Sequence, residues 1–426
     1  MHVYFSGIGG TGIGPLALVA KQAGFSVSGS DQQISSNLNY LRKEGLDDIH
    51  VGQTAKEISK IHEANPIDWF VYTSALPNNH AELEFCRKQG IKTSKRDEFI
   101  GTLLKDKRLK LIAVAGTQGK TTTTAMIVWL FKRLNLPISY SLGGQFSNGE
   151  MSHFDKSSSY FVYECDEYDR NFLAFEPYIS IITGVSWDHH DIFPTRDEYQ
   201  EAFREFLHQS KHIIIWEEDS EYLRLNDSFS TLLIQDTSTT AIENIELKGL
   251  YNRLDAWLAI QAIHFLTDTP VEDLLQLINR FTGLKRRMEL LVTDLYTDYA
   301  HTPEKIRGAM SVALEMAADK GQEVVVVYEP HSNRRQHFII NDYKDCFGGA
   351  TQVYWLPTYL AREDPGQRVI PPTELISHLT NPKLVVPAET GSALKRTIIA
   401  HLTKGDMVIA MSAGNLDDWL RNEFTK

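Results

Sequence analysis

The stretch that most constrains this chain is AVAGTQGKTTTT, Ala113 to Thr124. The run LKLI before it reads as the end of a buried strand. The run AMIVWLFKRLNL after it carries apolar residues at the three-to-four spacing of a helix. Strand, glycine turn, Lys-Thr and helix is the layout of a phosphate-binding loop. Its glycines let the backbone turn tightly and aim N–H groups at phosphate oxygens, and the helix N-terminus adds partial positive charge. Gly116, Thr117, Gly119, Lys120, Thr121 and Thr122 are therefore expected at the phosphates of a nucleotide. Lys120 would reach the β- and γ-phosphates, and the Thr121 hydroxyl would hold Mg²⁺. The motif is shorter than the general G-x-x-x-x-G-K-[ST], because Val114 stands at its first glycine position.

A second glycine loop opens the chain. HVYFSGIGGTGIGPLALVAKQAGFSVSGSD reads as strand, glycine loop, helix, strand and acid. Gly7, Gly9 and Gly12, with Gly10 between them, satisfy G-x-G-x-x-G, and Asp31 stands at the end of the second strand to meet a ribose or base. A later strand, IDWFVYTSALP, ends in Ser74-Ala75, where a ligand-facing loop is expected to begin. The charged segment Lys105 to Lys110 is expected to separate this unit from the phosphate loop.

Acids and histidines follow the phosphate loop. SYFVYECDEYD is a β-rich run ending in Glu164, Asp166, Glu167 and Asp169. Carboxylates at a strand's C-terminal end beside a phosphate loop are what Mg²⁺ coordination needs, and Glu164 is expected to be a ligand. ISIITGV reads as another buried strand, followed by DHHD. His189 is expected to be a ligand or catalytic group, and His190 a packing or hydrogen-bonding one. Asn252, at the head of the helix GLYNRLDAWLAIQAIHFL, is a candidate nucleotide contact. QEVVVVYEPHSNRR is a strong parallel-sheet strand with a histidine and two arginines past its end. Strands followed each by a helix predict doubly wound sheets with their sites at the strand C-terminal edges.

Composition narrows the function classes. The net charge of −12 leaves no basic excess for a nucleic-acid partner. Cys86, Cys165 and Cys346 form no metal spacing and no disulfide framework, which suits a reducing interior. No apolar run reaches the ~18 residues of a membrane helix, and the N-terminus shows no signal-peptide pattern. Cytoplasmic residence is the expectation.

These motifs, in this order, resemble the Mur ligases, the ATP-dependent amide-forming enzymes of peptidoglycan synthesis. The resemblance covers nearly the whole chain. It rests on GIGGTG, GTQGKTTTT, ECDEYDRNFL, WDHHDIFPT, GLYNRLDA, FTGLKRRMEL, TDYAHTP, YEPHSNRR and MSAGNLDDWL. It implies an α/β chain of three domains: a Rossmann-like UDP-sugar domain over 1–107, a central phosphate-loop ATPase domain over 108–286 and a Rossmann-like amino-acid domain over 287–426. It implies that ATP, with Mg²⁺, phosphorylates the carboxylate of UDP-N-acetylmuramate to an acyl phosphate. An amine, from an amino acid or short peptide, then attacks.

Carried over position by position, the resemblance places Lys120 and Thr121 at phosphates and Mg²⁺, Glu164 at a first metal and His189 at a second. Asn252, Arg287, Asp298 and His301 fall at nucleotide contacts, and Arg335 at a substrate-anchoring arginine. Gly7, Gly9, Gly10, Gly12, Asp31 and Ser74 fall to the UDP-substrate. Within the family the sequence leans both to the branch that adds L-alanine and to the tripeptide-adding branch of murein recycling. Gln118 stands where both usually have histidine, and Ser332 where the alanine-adding branch has arginine. Many family members carry a carbamylated lysine in the helix after the DH pair, but DEYQEAFREFLHQ has none, and the matching place falls at or next to Phe203. A monomer or weak dimer is expected. The reading from another class is a phosphate-loop NTPase of a different kind, which would leave the Gly7–Gly12 loop and the DHHD segment without a use.

Overall fold

Within the computed structural model, residues 1–73, 76–189, 192–225, 229, 232–361, 363 and 366–425 are described. They build three α/β sheets. The first contains β1 (His2–Ser6), β2 (Ser26–Asp31), β3 (Ile49–Val51), β4 (Trp69–Tyr72) and β5 (Lys92–Lys95) in the order β3-β2-β1-β4-β5. All its neighbours are parallel. The strand order reverses beside β1, so a crevice opens at the end of β1, where the first glycine loop sits.

The second sheet contains β6 (Lys110–Ala115), β7 (Ser139–Ser141), β8 (Ser152–His153), β9 (Tyr160–Glu164), β10 (Ile179–Ile182), β11 (His212–Trp216) and β12 (Leu232–Gln235). Its order is β12-β11-β10-β6-β9-β7-β8, parallel except for the short β7–β8 pair. Every residue of β10, and all of β6 after Lys110, is buried. A strand covered by helices on both faces needs that apolar run. The three central strands β10, β6 and β9 deliver His189, the phosphate loop and the acid cluster to one sheet edge.

The third sheet contains β13 (Glu289–Val292), β14 (Leu295–Asp298), β15 (Val324–Glu329), β16 (Gln352–Trp355), β17 (Val385–Pro387) and β18 (Met407–Ser412). Its order is β13-β14-β18-β15-β16-β17, with only the β13–β14 pair antiparallel. The chain divides into two compact units. The first is Met1–Ile245 with Asp255–Phe281. The second is Glu246–Leu254 with the chain from Thr282 on.

The first two sheets thus fall in one unit, and one hydrophobic core joins them. Val3 and Phe5 of β1 lie in the same cluster as Phe99, Leu103, Phe172 and Phe206. The segment Lys105–Lys110 is regular structure. Its first three residues close the helix Arg96–Lys107, Arg108 caps that helix in the left-handed conformation, and Lys110 opens β6. Among the described residues no helix is long and apolar enough to cross a membrane.

Candidate active site

Gly7 has φ +79, and Gly7 and Ile8 donate their N–H groups to Ser30 O at 2.8 and 3.0 Å. Only glycine adopts that φ without strain. Asp31 stands at the end of β2 as expected, but its carboxylate already accepts the Gly9 N–H at 2.8 Å. It braces the loop from below. Gly10 N–H donates to Gly7 O at 3.0 Å, which closes the turn. Below the loop a fully buried carboxylate, Glu82, accepts from Tyr4 at 2.9 Å, Ser6 at 2.7 Å and Ser30 at 2.9 Å. Ser74 and His190 lie outside the described residues.

The phosphate loop follows β6. A Cβ on Gly116 would meet Thr183 Oγ1 at 2.5 Å and Gly184 O at 2.8 Å, and Gly119 has φ +78. Lys120 begins the helix Lys120–Arg133. Its ammonium lies 2.8 Å from Glu167 and also reaches Gly116 O. Burial favours a neutral amine, but Glu167, Asp166 and Glu164 outweigh it and raise the Lys120 pKa. Glu167 is fully buried. Burial would raise its carboxyl, yet Lys120 and His189 hold it down at about 2. The ion pair is therefore charged on both sides.

His189 Nε2 lies 3.4 Å from Glu167 and 4.0 Å from Asp188. Burial lowers its pKa, and the hydrogen bond to Glu167 with the charge of Asp188 raises it further than burial takes away. Thr121 donates its hydroxyl to Glu164 at 2.9 Å. The glycine at 143 leaves room for that carboxylate, since a Cβ there would stand 2.5 Å from Glu164 Oε2. Thr122 is half-buried on the first turn of the helix. Thr117 faces the other way. Its hydroxyl donates to Ser186 O at 2.7 Å and meets Tyr199 at 2.9 Å, and its N–H donates to Gly184 O. It shapes the loop from behind.

Ligand atoms of Asp166, Glu167 and His189 lie within 4.8 Å of one another. With the Thr121 hydroxyl and Glu164 alongside, the donor set is rich in oxygen, which suits Mg²⁺ with water completing its shell. Glu167 stood in the acid cluster legible in the sequence. Its burial against Lys120 depends on the turn after β9, where Asp169 and Arg170 both take positive φ. Two further groups carried no sequence signal. Tyr199 reaches both Thr117 and Glu167 from the helix Arg196–His208. Asp255 packs against Gly119, and burial pushes its carboxyl up to about 7. A cavity of about 550 Å³ beside Lys105, Arg108, Tyr178 and Lys211 lies at the starts of β6 and β10, away from the loop, and takes no part in this site.

The second unit gathers its own expected residues. Asp298 ends β14 and accepts the N–H groups of Met288 at 2.9 Å and Ala300 at 2.8 Å. Burial raises its pKa against the pull of Arg287. The guanidinium groups of Arg286 and Arg287 lie 4.8 and 5.0 Å from the Tyr299 ring centroid. His301 is buried. Burial, Lys305 and Arg335 hold its pKa well below the usual histidine range. It is neutral, and its Nδ1 donates to Tyr299 O at 2.8 Å. Arg335 is half-buried and makes no hydrogen bond or ion pair among the described residues. Asn252 donates to Lys248 O at 2.8 Å.

Residues 2–108 match the catalytic domain of the Mur ligase family, and residues 114–247 match the Mur ligase middle domain. The chain is 30% identical to the UDP-N-acetylmuramate–L-alanine ligase of Renibacterium salmoninarum, over 98% of this chain and 94% of that protein. It belongs to the Mur ligase family. The ligase of the same name from Cytophaga hutchinsonii is 28% identical over 98% of this chain and 95% of its own. Among solved structures, the UDP-N-acetylmuramate-alanine ligase of Thermotoga maritima aligns with a TM-score of 0.75 at 22% identity, over 99% of this chain and 98% of that one. A murein peptide ligase of Psychrobacter arcticus aligns with a TM-score of 0.70 at 22% identity, over 100% and 98%. The α/β architecture expected from the sequence is thus that of the Mur ligase fold.

Proposed function

We propose that this protein joins the carboxylate of UDP-N-acetylmuramate to L-alanine in the cytoplasm, driven by ATP, as a step of peptidoglycan synthesis. The observation that carries the reading is the Lys120–Glu167–His189 cluster beside the phosphate loop, with Glu167 fully buried at its centre. End-to-end relation to proteins named for that reaction supports it. Residues 1–107 would take the UDP-sugar, 108–286 the ATP, and 287–426 the amino acid.

A substrate carboxylate oxygen attacks the γ-phosphorus, the bond to the bridging oxygen breaks, and ADP leaves. The amine then attacks the acyl-phosphate carbonyl and loses a proton, and inorganic phosphate departs. Several anionic groups converge in the first step, so it needs positioned positive charge. Lys120, kept protonated by Glu167, supplies it at the transferred phosphoryl group. Thr121, Glu164 and His189, with Asp166 and Glu167 beside them, would hold Mg²⁺, which neutralises phosphate charge when bound. Thr117 and Tyr199 fix the loop and the Glu167 carboxylate. Asn252, Arg287, Asp298 and His301 would contact the nucleotide, and Arg335 would hold the acceptor's carboxylate. We take the protein to act as a monomer or weak dimer.

A second reading has the tripeptide L-Ala-γ-D-Glu-diamino acid as acceptor. His331-Ser332-Asn333 and the likeness to a murein peptide ligase favour it. ADP release with UDP-N-acetylmuramate, comparing L-alanine, L-serine, glycine and that tripeptide, decides between them. Release with none of the acceptors would sink both.

A further inference from the structure

The first glycine loop, SGIGGTGIG from Ser6 to Gly14, contains no cationic residue. A diphosphate at such a loop is met by backbone N–H groups and the helix N-terminus, and any side-chain cation must come from elsewhere in the fold. One of those N–H groups, on Gly9, is already taken by Asp31. The net charge of −12 gives no diffuse positive field to help.

One cation stands over the loop. Arg96 opens the helix after β5, and its Nη1 occupies the place where a Cβ on Gly12 would be. Residue 12 must be glycine for this guanidinium to lie where it does. On its other side Arg96 faces Tyr163, and it faces Asp97 and Asp166 at ion-pair distances longer than a direct charge-assisted hydrogen bond. Nε is 3.4 Å from Asp97 and Nη2 is 3.8 Å from Asp166. Charge-assisted hydrogen bonds are about 2.7–2.9 Å long. The neighbouring Lys95 shows the contrast, with its ammonium 2.7 Å from Asp169. The Arg96 side chain retains 21% exposure, so its donors are reachable. Asp166 also belongs to the group of ligand atoms with Glu167 and His189.

We infer that Arg96 binds the diphosphate of the nucleotide-sugar at the Gly7–Gly12 loop. The inference rests on the reading that this loop takes the UDP-substrate. A planar guanidinium suits the task, because its fork donates two parallel hydrogen bonds to phosphate oxygens while another edge faces the acids. Lysine would offer charge without the fork.

The test compares Arg96→Ala, Arg96→Lys and Gly12→Ala with the parent by calorimetric titration of uridine, UDP and UDP-N-acetylmuramate. Gly12→Ala displaces the guanidinium without removing its charge, and so remains informative if Arg96→Ala folds poorly. Loss of the contact predicts about 10- to 100-fold weaker binding of UDP and UDP-N-acetylmuramate. Uridine binding and the KM for ATP should stay within about twofold, and Arg96→Lys should recover only part of the loss. A merely structural arginine would weaken uridine and UDP alike, so an unchanged UDP-to-uridine affinity ratio overturns the inference. Parent protein that does not bind UDP-N-acetylmuramate would instead overturn the reading beneath it.

Discussion

Lys120 lies 2.8 Å from Glu167, and each charge can be buried only because the other is there. Truncating one member of such a pair strands the other. Lys120→Ala should reduce ligation by more than about 10³-fold, because the transferred phosphoryl loses its positioned cation. It should also cost stability, on the order of 3–5 kcal/mol, as Glu167 loses its partner. Binding of UDP-N-acetylmuramate, proposed for the other loop, should survive. Turnover, urea unfolding and titration of the UDP-substrate check the three parts, and turnover at the parent's rate would contradict the role given to Lys120.

Asp255 makes the opposite case, a carboxyl held at about 7 by burial. Unfolded, an aspartate titrates near ~3.9. Between those values the folded state keeps a proton that the unfolded state has lost. This contribution is therefore full below about pH 4 and is lost as pH rises through about 7, at most about 4 kcal/mol. Asp255→Asn should flatten that slope and melt higher than the parent at alkaline pH. Melting curves with equal pH dependence in both proteins would contradict it.

At the scale of elements, the helix Arg196–His208 answers a question of metal chemistry. It buries Tyr199, Phe203 and Phe206, and Phe203 packs edge-on to Phe172 with centroids 5.2 Å apart. The place where many relatives would carry a carbamylated lysine is here part of the core. Activity should therefore be independent of bicarbonate. A carbon-13 bicarbonate signal in the carbamate region, or a rate that rises with added CO₂, would contradict this. The main strands were legible because buried parallel strands must be apolar runs, as in VVVVYE and ISII. Both glycine loops were legible because turn chemistry is local.

What depends on distant contacts was not legible. The basic run from Lys105 to Lys110 has the composition of a linker, and only the fold shows that it closes one helix and opens a strand. Glu167 is four residues or fewer from three other acids, and only the folded turn after β9 singles it out. Asp255 lies 136 positions from the glycine it packs against (255 − 119). No local pattern announces such a pair.

For the whole molecule, each unit has hydrophobic clusters of its own. Removing divalent cations should accordingly stop ligation while leaving the melting temperature nearly unchanged, in contrast to small domains that fold around a metal. A large drop in melting temperature with chelator would show that the acid cluster holds a structural ion. The proposed chemistry takes place at the substrate carboxylate. Its most direct measurement uses UDP-N-acetylmuramate with oxygen-18 in that carboxylate, followed by mass analysis of the phosphate released during turnover with ATP and L-alanine. An acyl-phosphate path transfers a labelled oxygen to the phosphate in each turnover. Unlabelled phosphate, or ADP released at the same rate without UDP-N-acetylmuramate, would contradict it.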